Sequence, residues 1–144
     1  DVTIQAEILA RLRKLQQERD MAILYITHDL GVVGRVADEV AVMYGGTILE
    51  QTTASNLFNR PTNPYTYALL QSLPRIDVKQ QRLLSIPGTP PDLLDLPDEC
   101  PFLPRCVKAM SQCRTSPKPP LVEVFPQHKV ACFNPMDPDR ELGQ

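Results

Sequence analysis

The chain has 144 residues, enough for one domain of ordinary size with a hydrophobic core. Charged residues make up 22% and the formal net charge is −2, which argues against a nucleic-acid-binding protein, since these normally carry an excess of basic residues. The longest apolar stretches, such as residues 23–26, are far too short to span a bilayer, so any membrane association has to go through a partner.

The prolines divide the chain into two halves of different character. Of the fifteen, only Pro61 and Pro64 precede residue 70, and the other thirteen lie between Pro74 and Pro138. This distribution predicts a regular first half and a loop-rich second half. The chain lacks an initiator Met and opens in a helical pattern, which we interpret as the interior of a larger protein.

The first 36 residues predict a helix, a strand and a second helix. Apolar residues at helical spacing predict an amphipathic helix over residues 2–19. Residues 21–26 form a short run rich in branched and aromatic residues, which predicts a strand buried on both faces of a parallel sheet. Residues 30–36 predict a short helix that Asp29 caps. The apolar stripe of the first helix consists of Ile4, Ile8, Leu9, Leu12 and Leu15.

Residues 39–51 predict a β-hairpin, because apolar residues alternate on either side of Gly45 and Gly46, a pair that accepts positive φ. A short helix is predicted over residues 53–59 and another over residues 65–73. For the latter, we expect Asn63 as the cap, Pro64 in the first turn and Pro74 at the end.

Beyond Pro74 the periodicity fades, and this stretch has little prospect of a core of its own. All four cysteines lie in it, with the spacing C-x5-C-x6-C-x18-C. Two disulfides would require an oxidising compartment, and no secretion signal is visible. A zinc site usually brings cysteines in close pairs, whereas an iron–sulfur cluster tolerates varied spacing, so all three alternatives remain open. The cysteines are Cys100, Cys106, Cys113 and Cys132.

His28 follows the predicted strand directly, between Thr27 and Asp29. Ligands of open α/β sheets bind beyond the C-terminal ends of strands, so His28 is a candidate for contacting a phosphate or orienting water. A single histidine is more often structural than functional. Only the position of His28 after the strand favours a functional role for it. His128 has no such setting and is interpreted as a surface residue.

Several segments resemble the ATPases of ABC transporters. Residues 26–30, Ile-Thr-His-Asp-Leu, resemble their switch-histidine segment, and residues 40–50 resemble the hairpin that follows it. Asp1 and the VTIQAEIL that follows resemble the end of the D-loop and the next helix. Residues 63–70 and 86–91, together with the four-cysteine pattern, are similar to the C-terminal extension of dipeptide and oligopeptide importer ATPases.

The resemblance implies an α/β fold, the C-terminal part of an ABC ATPase nucleotide-binding domain, followed by a loop-rich, cysteine-containing extension. Residues 1–60 would be the ATPase part and residues 61–144 the extension. In the parent protein His28 would contact the γ-phosphate of ATP, held with Mg, and Asp1 would lie at the dimer interface near the nucleotide. The four cysteines would hold a 4Fe–4S cluster, with zinc as the alternative.

The implied partners are a second ABC ATPase subunit, membrane permease subunits and, indirectly, a peptide-binding protein, at the cytoplasmic face of the bacterial inner membrane. No nucleic acid is expected. None of the six glycines is followed by Lys, so the phosphate loop G-x-x-x-x-G-K-[ST] is missing and the chain by itself should be inactive. We also expect it to self-associate. The alternatives are a stand-alone cysteine-rich metal-binding regulatory module and an export or lipid-type ABC ATPase.

Overall fold

The computed structural model describes residues 2–73 and 85–138. The chain divides into two compact units, Asp1–Asp38 and Glu39–Gln144. This division into compact units does not test the boundary predicted between residues 60 and 61, so that boundary stays a prediction. Among the described residues, no helix is both long enough and apolar enough to cross a membrane.

The first unit contains two helices, and the sequence predicted both. Helix α1 spans Val2–Arg19 and helix α2 spans Leu30–Val36. Asp29 caps α2 as expected, because its Oδ1 accepts hydrogen bonds from the backbone N–H of Gly31 at 2.8 Å and of Val32 at 3.3 Å.

The predicted strand over residues 21–26 is wrong for this structure. The segment forms no strand, and the side chains of Leu24 and Ile26 are 88% and 93% exposed. A strand needs a neighbour to pair with its backbone N–H and C=O groups. None of the described strands pairs with this run, so residues 21–26 have the composition of a strand but no partner strand to accept and donate their backbone hydrogen bonds.

The second unit is built on a four-stranded antiparallel sheet in which, numbered along the chain, the second strand lies between the first and the fourth, and the fourth lies between the second and the third. The predicted hairpin is confirmed, and Gly45 and Gly46 at its tip have φ of 53° and 72°. The second hairpin was not predicted, because its strands have only four and three residues and too little alternation to read. The strands are β1 Glu39–Tyr44, β2 Thr47–Thr53, β3 Val122–Phe125 and β4 His128–Val130.

Outside the sheet, the described part of this unit contains three short helices and a 3-10 turn. Helix α3 spans Ala54–Asn59, and helix α4 spans Pro64–Gln71 with Asn63 as its cap, both close to the prediction. Pro74, the expected end of α4, lies outside the described residues. The 3-10 turn is Leu103–Arg105 and helix α5 is Ser111–Thr115.

The expectation that the proline-rich half has little core is wrong in part. Phe102 is buried with Tyr44 and Leu49 of the first hairpin, and the partly buried Tyr65 and Ile86 pack against them. The Tyr44 and Phe102 rings meet edge to face with centroids 5.4 Å apart. Extension and hairpin therefore share one apolar cluster. Further buried apolar residues of this half are Leu103, Val130, Ala131 and Met136.

Candidate functional site

His28 lies in a fixed turn with its side chain exposed. The hydroxyl of Thr27 accepts a hydrogen bond from the backbone N–H of Asp29 at 3.0 Å, and Asp29 in turn caps α2. The backbone on the C-terminal side of the ring is therefore held while the ring itself remains accessible. Asp1, the other predicted nucleotide-site residue, lies outside the described residues, so its proximity to His28 stays a prediction.

The four cysteines are free thiols, all half-buried, and they come from four different segments. Cys100 precedes the 3-10 turn and Cys106 follows it directly. Cys113 lies within α5, and Cys132 comes two residues after the end of β4. The fold thus brings residues separated by up to 32 positions into one neighbourhood.

Three of these sulfurs accept hydrogen bonds in a shared pattern. Cys100 accepts from the backbone N–H of Phe102, Cys106 from that of Lys108, and Cys132 from that of Asn134 at 3.4 Å. In each case a donor lies two residues after the cysteine, and Cys100 also accepts from the backbone N–H of Leu103. Backbone N–H groups aimed at sulfur favour the thiolate form, which is the form that binds metal.

The thiols influence one another electrostatically. The pKa of Cys132 is raised to about 11, mainly by burial and to a smaller extent by the neighbouring Cys106, Cys100 and Cys113, while the hydrogen bond from Asn134 opposes the rise. Burial likewise raises the pKa of Cys100 and of Cys106. Without a metal these groups are therefore protonated thiols at neutral pH.

The described residues do not contain a site for a single metal ion. Across residues 2–73 and 85–138, no group of three or more His, Cys, Asp or Glu side chains is arranged to hold one.

A buried polar network that the sequence did not reveal lies between the two hairpins. His128 Nε2 is 2.6 Å from Glu50 Oε1, and their side chains are 2% and 0% exposed. The prediction that His128 is a surface residue is wrong, because β4 pairs with β2 and turns the imidazole inward onto Glu50. The only signal was the alternation of His128 and Val130 around Lys129, over too few residues to identify a strand.

The same carboxyl group also fixes the start of α4. Glu50 Oε1 accepts from the backbone N–H of Thr62 at 2.7 Å, and Oε2 accepts from that of Asn63 at 3.0 Å. The side chain of Asn63 donates to the carbonyl of Leu49 at 3.2 Å and to that of Ala131 at 3.4 Å. Glu50 and Asn63 thus join strand β2, strand β4 with the residue that follows it, and the start of helix α4. This network therefore has a structural role.

The comparison with protein families matches residues 49–113 to the family described as "Oligopeptide/dipeptide transporter, C-terminal region". This segment includes the first three cysteines and the whole of α3 and α4. Most of the hairpin's second strand, the cap at Asn63 and the 3-10 turn between Cys100 and Cys106 therefore lie in a segment with known relatives.

The similarity to curated proteins is wider than this segment. The chain is 47% identical over 137 residues to the oligopeptide transport ATP-binding protein OppD of Escherichia coli (strain K12), covering 95% of this chain and 40% of that protein. It is 50% identical over 113 residues to the dipeptide transport ATP-binding protein DppD of Bacillus subtilis (strain 168), covering 78% of this chain and 34% of that protein.

These relatives agree with the predicted family and give no support to the stand-alone metal-binding module or to an export-type ATPase. The chain spans about two fifths of the length of the oligopeptide transport ATP-binding proteins of Escherichia coli and Salmonella typhimurium that it matches. Residues 49–113 match the C-terminal region of the oligopeptide/dipeptide transporter family, and over nearly its whole length the chain is similar to ATP-binding proteins of oligopeptide and dipeptide transport.

Proposed function

We propose that this chain is the C-terminal part of an ABC-type ATPase subunit that energises peptide import across the bacterial cytoplasmic membrane. The observation that carries the proposal is the match of residues 49–113 to the transporter C-terminal region, joined to 47% identity with an ATP-binding protein of oligopeptide transport. Since the chain spans only 40% of that relative, ATP hydrolysis and peptide transport belong to the longer protein.

In the longer protein, His28 would contact the γ-phosphate of Mg-bound ATP and position the attacking water. Its exposed ring on a held turn supports this role, because a group that orients a phosphate must be both accessible and fixed in place. Asp1 would lie at the interface with the second ATPase subunit. Catalysis would rest on positioning and on electrostatic stabilisation of the transferred phosphoryl group.

The partners proposed for the longer protein are a second ABC ATPase subunit and membrane permease subunits, with a peptide-binding protein acting through the permease. The expected place is peripheral, at the cytoplasmic face of the inner membrane. The names of the relatives support this arrangement, since they describe ATP-binding proteins of oligopeptide and dipeptide transport.

We further propose that Cys100, Cys106, Cys113 and Cys132 hold a 4Fe–4S cluster. Four mutually interacting thiols, three of them with backbone N–H donors, fit a thiolate-ligated group. A zinc ion holds each sulfur at about 2.3 Å, so four sulfurs around it nearly touch. A four-iron cluster is wider, so its four cysteine ligands stand further apart.

When bound, the cluster would supply a covalent cross-link between four segments of the chain, one of them helix α5. The chain's own residues determine the rest: backbone N–H groups support the thiolates, and partial burial limits access of solvent to the sulfurs. A structural role is the simplest one, because transport requires no redox step.

The test of the proposed ATPase role is His28→Ala in the longer protein that contains this chain. We expect ATP binding to be largely intact and turnover to fall by about 10²-fold or more, the usual contribution of a group that positions or activates water. Glu39→Ala, an exposed change at the start of β1, is the matched control and should leave turnover unchanged. Unchanged turnover in His28→Ala would mean that His28 is only structural.

A further inference from the structure

The guanidinium group of Arg105 joins three segments of the second unit. Its Nε donates to the carbonyl of Pro87 at 2.9 Å and its Nη2 to the carbonyl of Ile86 at 2.8 Å. Its Nη1 donates to the hydroxyl of Tyr44 at 3.0 Å. One planar group thus holds the segment around Ile86 against the end of β1.

The tip of the first hairpin packs against the loop that carries Arg105. A Cβ atom at Gly45 would lie 2.7 Å from Cβ of Pro101 and 3.6 Å from Cγ of Pro91, so only glycine permits this approach. The ring of Tyr44 packs on Phe102 of the same loop. The contact between hairpin tip and loop is therefore both apolar and hydrogen-bonded.

Cys100 and Cys106 bound this loop, and Arg105 lies directly before the second of them. Within the loop, the carbonyl of Cys100 accepts from the N–H of Leu103 at 2.9 Å, and the carbonyl of Leu103 accepts from the N–H of Cys106 at 3.2 Å. The carbonyl of Phe102 also accepts from the N–H of Arg105 at 3.0 Å, and these three backbone bonds, together with the burial of Phe102, support the loop from within. Fixing both flanking sulfurs would remove conformational freedom from the loop, and releasing them would restore it.

We propose that Arg105 is a positioning residue that couples the state of the cysteine centre to the tip of the first hairpin. With Cys100 and Cys106 bound in a common centre, the 3-10 turn holds Arg105 in contact with Tyr44, Ile86 and Pro87. When the centre is lost, the loop becomes more mobile and Arg105 leaves these acceptors. The backbone amides of the hairpin tip and of the segment around Ile86 then exchange their hydrogens faster, both at once. The coupling rests on the proposed four-cysteine centre.

Arginine suits this position better than lysine would. Three donors of one rigid plane reach three acceptors, two of them carbonyls of adjacent residues. A lysine carries the same charge, but its ammonium is a compact point donor on a flexible stem and cannot reproduce the fork. Arg105→Lys therefore separates the need for charge from the need for geometry.

The test is hydrogen–deuterium exchange of the 144-residue chain, reconstituted without oxygen with iron and sulfide, compared with the same chain after iron removal. Peptides covering residues 42–48 and 85–92 report on the two segments. We expect iron removal to speed exchange in both by at least about 5-fold, the lower end of common coupling factors. In Arg105→Ala and Arg105→Lys the iron-loaded form should already exchange at the fast rate, so that the effect of iron disappears.

The matched control is Arg114→Ala, because Arg114 also adjoins a cysteine but lies exposed on α5. It should keep the full effect of iron. If Arg105 were merely structural, exchange in its variants would be faster, yet iron removal would speed it further by the same factor; that result overturns the coupling. Equal exchange with and without iron in the unaltered chain overturns it too.

The outcomes also separate the coupling from the centre on which it rests. If the chain takes up iron but Arg105→Lys keeps the effect of iron in full, the coupling through the guanidinium fork is wrong and the centre stands. If the chain takes up no iron, the four-cysteine centre is wrong and the coupling falls with it. By linkage, Arg105→Ala should also lose iron to a chelator more readily than Arg114→Ala, by the same factor of about 5-fold or more.

Discussion

Oε1 of Glu50 lies 2.6 Å from Nε2 of His128, although 78 positions separate the two residues in the chain. Glu50 comes from the hairpin that resembles the ATPase core, and His128 from the last described strand of the extension. Both side chains are buried. This contact therefore joins the two ends of the second unit, and Thr62 and Asn63 complete the set of partners.

Glu50→Gln should destabilise the chain by about 1–3 kcal/mol, because a carboxamide has one acceptor oxygen where the carboxyl group has two. One of the backbone N–H groups of Thr62 and Asn63 then stays buried without its partner. For a chain near this size, we expect the melting temperature to fall by about 2–4 °C for each kcal/mol. Thermal and urea unfolding of the chain measure the change.

Glu39→Gln is the control, since Glu39 is exposed at the start of the same hairpin. Its effect should stay within about 0.5 kcal/mol, the usual range for surface substitutions. An equal effect of the two substitutions would show that the Glu50 network does not stabilise the fold.

The 144-residue chain should neither bind ATP tightly nor hydrolyse it. The phosphate loop supplies backbone N–H groups and a Lys for the phosphates, and this sequence contains neither that motif nor any Gly-Lys pair. Calorimetric titration with Mg-ATP measures the binding. An affinity in the micromolar range would contradict the prediction and would require a nucleotide site outside the family pattern.

The chain should self-associate through residues 21–26. Leu24 and Ile26 are almost fully exposed, and the run has strand-forming composition without a strand partner, which favours pairing between chains. Light scattering across a range of concentrations should show dimers or larger species. The double substitution Leu24→Ser and Ile26→Ser should shift the distribution toward monomer.

Leu94→Ser is the control for that experiment, because Leu94 is 94% exposed but lies in a proline-rich loop without strand-forming neighbours. It should leave the association unchanged. A strictly monomeric chain at high concentration would refute the expected pairing.

Anaerobic purification should yield a chain with about four iron and four sulfide per molecule and the broad visible absorption of a cluster, as the chemistry of four thiolates predicts. Replacing any one of the four cysteines by Ser should lower the iron content and destabilise the second unit, because binding energy is also folding energy. Ser111→Ala, two residues before Cys113 on α5 and outside the proposed ligand set, is the control. Zinc in place of iron under these conditions would favour the alternative.

Local signals in the sequence determined most of the regular elements. Asp29 and Asn63 sit where a cap is needed, and Gly45 and Gly46 supply the positive φ that a two-residue hairpin requires. The periodicity of residues 2–19 was sufficient for α1. These features depend on neighbours a few positions away, so a single sequence reveals them. The motifs around His28 and the cysteine spacing likewise indicated the family.

Only the tertiary structure decided what depends on distant partners. Residues 21–26 have the composition of a strand, but pairing requires a neighbouring strand, and among the described strands none pairs with them. His128 looked like a surface residue until β4 paired with β2 and brought it to Glu50. The hydrogen bonds of Arg105 to Tyr44 and Ile86 likewise join residues that are distant in the sequence. Burial and hydrogen bonding across 19 to 78 positions follow from how the chain packs, and no local pattern in the sequence encodes them.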